Sequence, residues 1–328
     1  MVFERRYPSL GGDPEFFIVK TREPDGKPTK VVMSADKFLP PKNNKQKISA
    51  GDVFFDGVQA EINPNPSSCR ETFLSNVQIC IAEVLRNVME KRSKNKDLDG
   101  RYNFWALGSI EITKETIKNT DLECRRFGCS PDFNIYTEEK IKYPDGNKFF
   151  TRFAGGHIHL GFPTILDMKV MKKPEKLERL IKMLDALVGI FSTAIVGDET
   201  IEIERVRRKY YGKAGTYRLN GHGIEYRVPS AFWISSPYLA SLILSIARDA
   251  YIFVFNSLDE EFFSDIDIDY MREIIDNVIK EKAINFYREY IEPMGYKAFL
   301  VAVDREACAM YKEELDKHLP PELSLIHI

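Results

Sequence analysis

Apolar residues recur along this chain at two periods, and each period marks a different kind of element. Alternation at every second position, the mark of a half-buried strand, runs through Val53–Ile62 and Thr216–Val228, and Glu15–Lys20 is an aromatic and β-branched strand-like run. Further strands are predicted at Lys30–Met33, Tyr102–Ile112 and Phe149–Phe162, the last broken at Gly155-Gly156. Spacing of three and four predicts helices instead. Phe73, Val77, Ile81, Val84 and Val88 follow a capping-box pair, Ser68 and Glu71, and run out into the solvated stretch Lys91–Lys96. A second helix enters at Pro174 and repeats through Leu177, Leu180, Ile181, Leu184, Leu187, Val188 and Phe191. Ser236-Pro237 opens a largely apolar helix to about Leu258, and helices near Ile268–Tyr290 and Arg305–His318 close the chain. Pro24–Lys47 and Cys124–Asn147 read as loops, the second with turn signals at Ser130-Pro131-Asp132 and Pro144-Asp145-Gly146.

Strands and helices are interspersed without regular βαβ units. The pattern therefore predicts an α+β protein whose mainly antiparallel sheet is polar on one face and covered by helices on the other. With no separating linker, residues 1–322 are expected to form one domain, helical over about 231–322. Leu323–Ile328, after Pro320-Pro321, continues no pattern and is expected to be a frayed or foreign tail.

Bulk composition narrows the class. A net charge of −2 over 328 residues argues against a general nucleic-acid or membrane-surface binder. Five irregularly spaced cysteines make no disulfide framework and suggest reduced thiols. Leu184–Val196 is too short to span a bilayer, and Tyr238–Phe255 is interrupted by Arg248-Asp249. With a polar N-terminus in place of a signal peptide, a cytoplasmic protein is expected.

The chemistry lies in four short strand-like segments: Asp13-Pro14-Glu15, Gln59-Ala60-Glu61, His157-Ile158-His159 and Glu225-Tyr226-Arg227. Residues two apart share a strand face, so Asp13, Glu15, Gln59, Glu61, His157, His159, Glu225 and Arg227 all belong to polar faces. Phe16, Ala60, Ile62, Ile158, Leu160, Tyr226 and Val228 make the apolar ones. So many carboxylates, imidazoles and guanidiniums on sheet faces ask for something that neutralises them, and a metal–phosphate assembly would do so. Each segment also has a plain reading: a glycine turn at Gly11-Gly12 with exposed acids, a solvent-facing strand, or a structural salt bridge. Arg207–Arg218 places cations beside glycines but is not a Walker loop, and Lys209 there reads as solvated.

Taken in order, the segments resemble the glutamine synthetase/glutamate–cysteine ligase superfamily, and most closely the phage phiEco32-like COOH–NH₂ ligase type 2 branch. The resemblance runs over about residues 11–230. Tyr211-Gly212-Lys213-Ala214-Gly215 and Arg218 look like that branch's own signature. Asp13 stands where a glutamate is usual, and Asp56 is the only candidate for an upstream acid. The resemblance implies a curved catalytic sheet and an ATP-dependent ligase that forms an amide through an acyl phosphate. It implies Mg²⁺ or Mn²⁺, two or more ions, on Asp13, Glu15, Glu61, His157 and Glu225. It places Arg218, Arg227 and His159 at the phosphates, with Lys213 and Arg208 as supplements. Small-molecule or peptide carboxylates and amines would be substrates, a modified nucleobase is open, and relatives often assemble into oligomers. A metallohydrolase using His157 and His159, with His222 as a third imidazole, and a phosphotransferase of the same fold stay open as alternatives; a nucleic-acid binder using Arg205–Lys213 is the weakest.

Overall fold

Asp13-Pro14 carries the chain from one sheet into another. The computed structural model describes residues 7–22, 29–118, 120–122, 132–137 and 149–294. Strand β1 (Ser9–Gly12) precedes the Asp-Pro step, and β2 (Glu15–Arg22) follows it. Next come β3 (Thr29–Met33), β4 (Gln46–Ile48) and the hairpin β5 (Gly51–Asp56) and β6 (Gln59–Pro64). Helix α1 (Arg70–Lys94) leads to β7 (Arg101–Trp105), β8 (Ser109–Glu111) and α2 (Lys114–Lys118). Three short strands follow: β9 (Phe133–Asn134), β10 (Thr151–Phe153) and β11 (Ile158–Gly161). After α3 (Ile165–Met171), a nearly continuous helical run comprises α4 (Pro174–Leu184), a π-helical turn at Asp185–Gly189 and α5 (Ile190–Ala194). Helix α6 (Ile201–Tyr210) and the hairpin β12 (Thr216–Leu219) and β13 (Gly223–Tyr226) follow. Helices α7 (Pro237–Phe255), α8 (Asp259–Ser264), α9 (Ile268–Asp276) and α10 (Lys280–Phe286) end the described chain.

The first sheet has the order β1-β11-β13-β12-β9; the second runs β3-β2-β6-β5-β4, with β7 also on β2, and β10 pairs with β8. Every ladder between these strands is antiparallel. The architecture is thus mixed α/β with curled antiparallel sheets and helices, as the alternating pattern predicts. In the first sheet Leu10, Ile158, Leu160, Ile224 and Tyr226 are fully buried against helices, and they join one contiguous core with α1, α4, α7 and α9. Among the described single helices α7 is long and apolar enough to cross a membrane, yet a stripe from Ala240 to Val254 is buried in that core against α1 and α4.

Several local expectations give way. Gly11-Gly12 is not a tight turn but the end of β1; a Cβ on Gly12 would lie 2.7 Å from the His157 carbonyl, so close strand approach requires the glycine. Helix α1 is capped at Cys69 without a side-chain bond, because Ser67 Oγ accepts the Cys69 N–H and Glu71 pairs with Arg70 instead of Ser68. Tyr102–Ile112 divides into β7 and β8, which join different sheets. The basic run Arg205–Tyr210 is helical, with Arg207 and Arg208 buried and Lys209 exposed as expected. The helix expected over Ile268–Tyr290 breaks at Val278, whose φ is +50°. Arg305–His318, Leu323–Ile328 and most of Cys124–Asn147 lie outside the described residues.

Candidate active site

The ladders align the polar residues into a row. His159 lies opposite Gly11 on one side and Glu225 on the other, and Glu225 in turn lies opposite Arg218. Ile158 pairs with Tyr226 one residue away and faces the core, so the parity expected from the sequence is the parity of the fold. Gly11 leaves the space beside His159 open, its absent Cβ 3.3 Å from that of the histidine.

Asp13 reaches this row from the step between the sheets. Its Oδ1 is 2.8 Å from His157 Nδ1 and 3.3 Å from His159 Nε2. Burial pushes the Asp13 carboxyl up, but the two adjoining imidazoles outweigh it and hold the group well below the ordinary range. Asp13, His159 and Glu225 offer ligand atoms that all lie within 4.8 Å of one another. His159 Nε2 is buried and, although 3.3 Å from Asp13 Oδ1, lacks hydrogen-bond geometry to it.

His157 is differently placed. Its Nδ1 faces Asp13, and its Nε2 is hydrogen-bonded to the Tyr211 hydroxyl, so both ring nitrogens are engaged. Burial and then the Arg227 charge push its pKa down to about 3, which leaves the ring neutral at ordinary pH. The arrangement fits Nδ1–H donating to Asp13 and Nε2 accepting from Tyr211, whose oxygen itself accepts from Arg227 Nη2 at 2.7 Å. The expectation gave His157 to metal and His159 to phosphate; in the fold it is His159 that shares a donor group with the acids.

Arg227 is 2% exposed and pairs with Glu225 through Nη1, while its Nε lies 3.0 Å from Asp132 Oδ1. Arg218 reaches the same two carboxylates, 2.9 Å from Asp132 and 3.5 Å from Glu225, but stays partly exposed. Two guanidiniums therefore share two carboxylates, and Arg218 has the freer approach to a bound anion.

A second acidic group lies on the other sheet. Glu15 and Glu61 face each other across β2–β6, and with Asp56 they form a set whose oxygens also lie within 4.8 Å. Glu15 Oε2 accepts the Gly155 N–H at 2.6 Å, tying this group to the loop before His157. Burial, then repulsion from Asp56, pushes the Glu15 pKa up to about 8, and burial raises Glu61 well above its ordinary value. The cation the sequence reading missed is Lys42, whose Nζ pairs with Asp56 and lies 3.3 Å from Glu61. With its pKa at about 8, Glu15 is mostly protonated at neutral pH while no cation is bound, and a lysine half exposed at its side chain stands between Asp56 and Glu61 as an ion would. Nothing but an isolated lysine in a Pro-Pro-Lys loop marks it in the sequence. Gln59 does not join the acids; its amide donates to the Phe153 carbonyl at 2.8 Å.

Arg208 and Lys213 are not brought to these groups. Arg208 Nη1 donates to the Gly212 and Val228 carbonyls, and Lys213 is exposed, its charge acting on Asp276. Asp132 and Tyr211 are the functional partners that the sequence reading passed over: Asp132 read only as a turn residue, and Tyr211 only as part of a glycine-bearing signature.

Beside His159 opens a cavity of about 470 Å³ bounded by Pro64, Pro66 and Phe162, with Asn63, Asn220 and His222 on its rim. It is large enough for a small organic substrate next to the metal-competent acids.

Residues 133–269 match the family model of the phage phiEco32-like COOH.NH2 ligase-type 2. The matched stretch holds His157, His159, Arg218, Glu225 and Arg227; Asp13, Glu15, Asp56 and Glu61 precede it, and the fold delivers them to the same place. The family is named for joining carboxyl to amino groups. No curated protein matches the chain.

Proposed function

We propose that this protein is an ATP-dependent carboxylate–amine ligase, forming an amide through an acyl phosphate and releasing ADP and phosphate. The observation that carries the reading is the meeting of Asp13, from outside the COOH.NH2 ligase match, with His159 and Glu225 from inside it.

The donor sets suit hard cations: carboxylate oxygens predominate, with one imidazole, and one buried ring nitrogen is left without a bond. Asp13, His159 and Glu225 would hold one Mg²⁺ or Mn²⁺, and Glu15, Asp56 and Glu61 another. Bound there, such ions neutralise charge on a triphosphate and on the oxygens of a transferring phosphoryl group. His157 orients Asp13 from below and is itself fixed by Tyr211, so its part is positioning. Arg218 offers a partly exposed guanidinium to the anion, and Arg227 holds Glu225 in place while extending the positive field. The cavity beside His159 would admit a substrate whose outlying part is uncharged, because its named rim groups are neutral amides and an imidazole.

The same donor sets weigh against the zinc hydrolase alternative: each acidic group contains at most one imidazole, and both nitrogens of His157 are engaged. The test is Mn²⁺-dependent ATP binding by calorimetry, followed by mass spectrometry of a bacterial extract incubated with protein and ATP. Amide products lighter by one water than two reactants, formed with stoichiometric ADP, support the reading. Absence of nucleotide binding, or hydrolysis without ATP, refutes it.

A further inference from the structure

A second cavity, of about 260 Å³, lies between α6, α7 and the segments at 106–108, 195–200 and 230–235. Its walls include none of the acids or histidines described above. Two wall residues are almost wholly buried and carry unpartnered polar atoms: Ser230 Oγ and Arg208 Nε make no hydrogen bond. Buried donors left without a partner are costly, so an acceptor in this cavity would satisfy them. Among the described residues no carboxylate lies within ion-pair distance of Arg208, although the Asp276 carboxyl feels its charge.

The opposite polarity is present on the same helix. Glu204 lines the cavity one turn before Arg208, is largely buried at 13% side-chain exposure, and accepts no hydrogen bond among the described residues. Its nearest cation, Arg207, lies 3.9 Å away and is committed to the carbonyls of Ala154, Val228 and Pro229. Gly108 makes room for this acid; a Cβ there would come within 2.3 Å of Glu204 Oε1. Leu107, Phe232 and Leu239 supply apolar wall between the two polar ends.

We propose that this cavity binds a small zwitterion of the α-amino-acid class, its carboxylate on Arg208 Nε and Ser230 Oγ and its ammonium on Glu204. The volume, below the ~300–1,000 Å³ of drug-sized sites, limits the ligand to that size. Arg208 also holds the Val228 and Gly212 carbonyls, so the ligand contacts the guanidinium that pins the segments carrying Arg227 and Tyr211. This site is independent of the ligase reading.

The test is calorimetric titration of the whole protein, without nucleotide or divalent cation, using the common α-amino acids singly. For each binder, the matching carboxylic acid and the matching amine serve as truncated probes. Saturable binding of at least one amino acid is expected, with both truncated probes weaker by about tenfold or more. Glu204→Gln is expected to weaken binding by a similar factor, and Ser235→Trp, at the exposed rim, to block it while melting like the parent. The inference is overturned if no amino acid binds, if a truncated probe binds as well as the amino acid, or if binding survives in a folded Ser235→Trp variant.

Discussion

His159 and Glu225 stand opposite each other across the β11–β13 ladder, on the face away from the core. That one pairing puts an imidazole and a carboxylate within reach of Asp13; strand parity gives the shared face, and the β11–β13 register gives the partner.

Exchanging the faces separates fold from function. His159→Ala is expected to melt near the parent temperature and to lose Mn²⁺ binding at the Asp13–Glu225 group by at least about tenfold. Ile158 is fully buried, and Ile158→Asp places an uncompensated charge in the core, costing upwards of about 4 kcal/mol and preventing folding. Thermal melts with Mn²⁺ titration by electron paramagnetic resonance check both. Equal behaviour of the two variants would mean the faces are misassigned.

Arg227 is the buried centre of an ion network that also involves Glu225, Asp132 and Tyr211. Arg227→Ala leaves Asp132 and Glu225 with only the partly exposed Arg218 and is expected to destabilise by about 1–3 kcal/mol. Arg227→Lys keeps the charge but reaches fewer partners, so it is expected to fold and to lose ligation rate by about a hundredfold or more. Denaturant melts and steady-state rates on the two variants decide it.

Glu15 links stability to pH and to metal. Its folded pKa of about 8 lies above its ordinary 4.5, so its contribution is full below about 4.5 and is lost as pH rises through 8. Metal-free protein is expected to lose melting temperature across that window, and Mn²⁺ to restore it at pH 8. Glu15→Gln should flatten the pH dependence and shrink the metal effect. Scanning calorimetry with and without a chelator reads both; an unchanged Mn²⁺ shift in the variant contradicts the assignment.

Asp185 provides a second, metal-independent titration. It is buried in the π-turn, where the Tyr226 and Tyr136 hydroxyls donate to it at 2.7 and 2.8 Å. Burial outweighs these bonds and lifts its pKa from 3.8 to about 7. The folded protein retains a proton the unfolded chain gives up, so stability falls by up to roughly 1.4 kcal/mol per pH unit between those values. Asp185→Asn should gain on the parent steadily from pH 4 to pH 7. Parallel melting curves would show that Asp185 is ionised throughout.

The sequence made much of this architecture readable. Strand-like patterning located the strands that carry the acids and histidines, and the break at Gly155-Gly156 separates β10 from β11 as expected. The residues that proved hard to read act over long distances. Lys42 and Asp132 sit in loops, where periodicity says nothing about which side chains converge, yet each closes an ion pair with a strand far along the chain. Arg208 misled because a basic run near glycines looks the same whether a guanidinium faces phosphate or, as here, two backbone carbonyls. His157 and His159 lie two apart on one strand face; Tyr211 and Arg227, over fifty residues on, distinguish the fixed ring from the open one.

The acyl-phosphate route is tested most directly by isotope transfer. Carboxylates in a phosphate-free extract from bacteria grown in H₂¹⁸O are supplied to the protein with unlabelled Mg·ATP. The account predicts that each amide formed releases one phosphate carrying one ¹⁸O, and that Glu225→Gln abolishes the transfer. Amide formation with unlabelled phosphate, or ¹⁸O appearing instead in AMP, would contradict it.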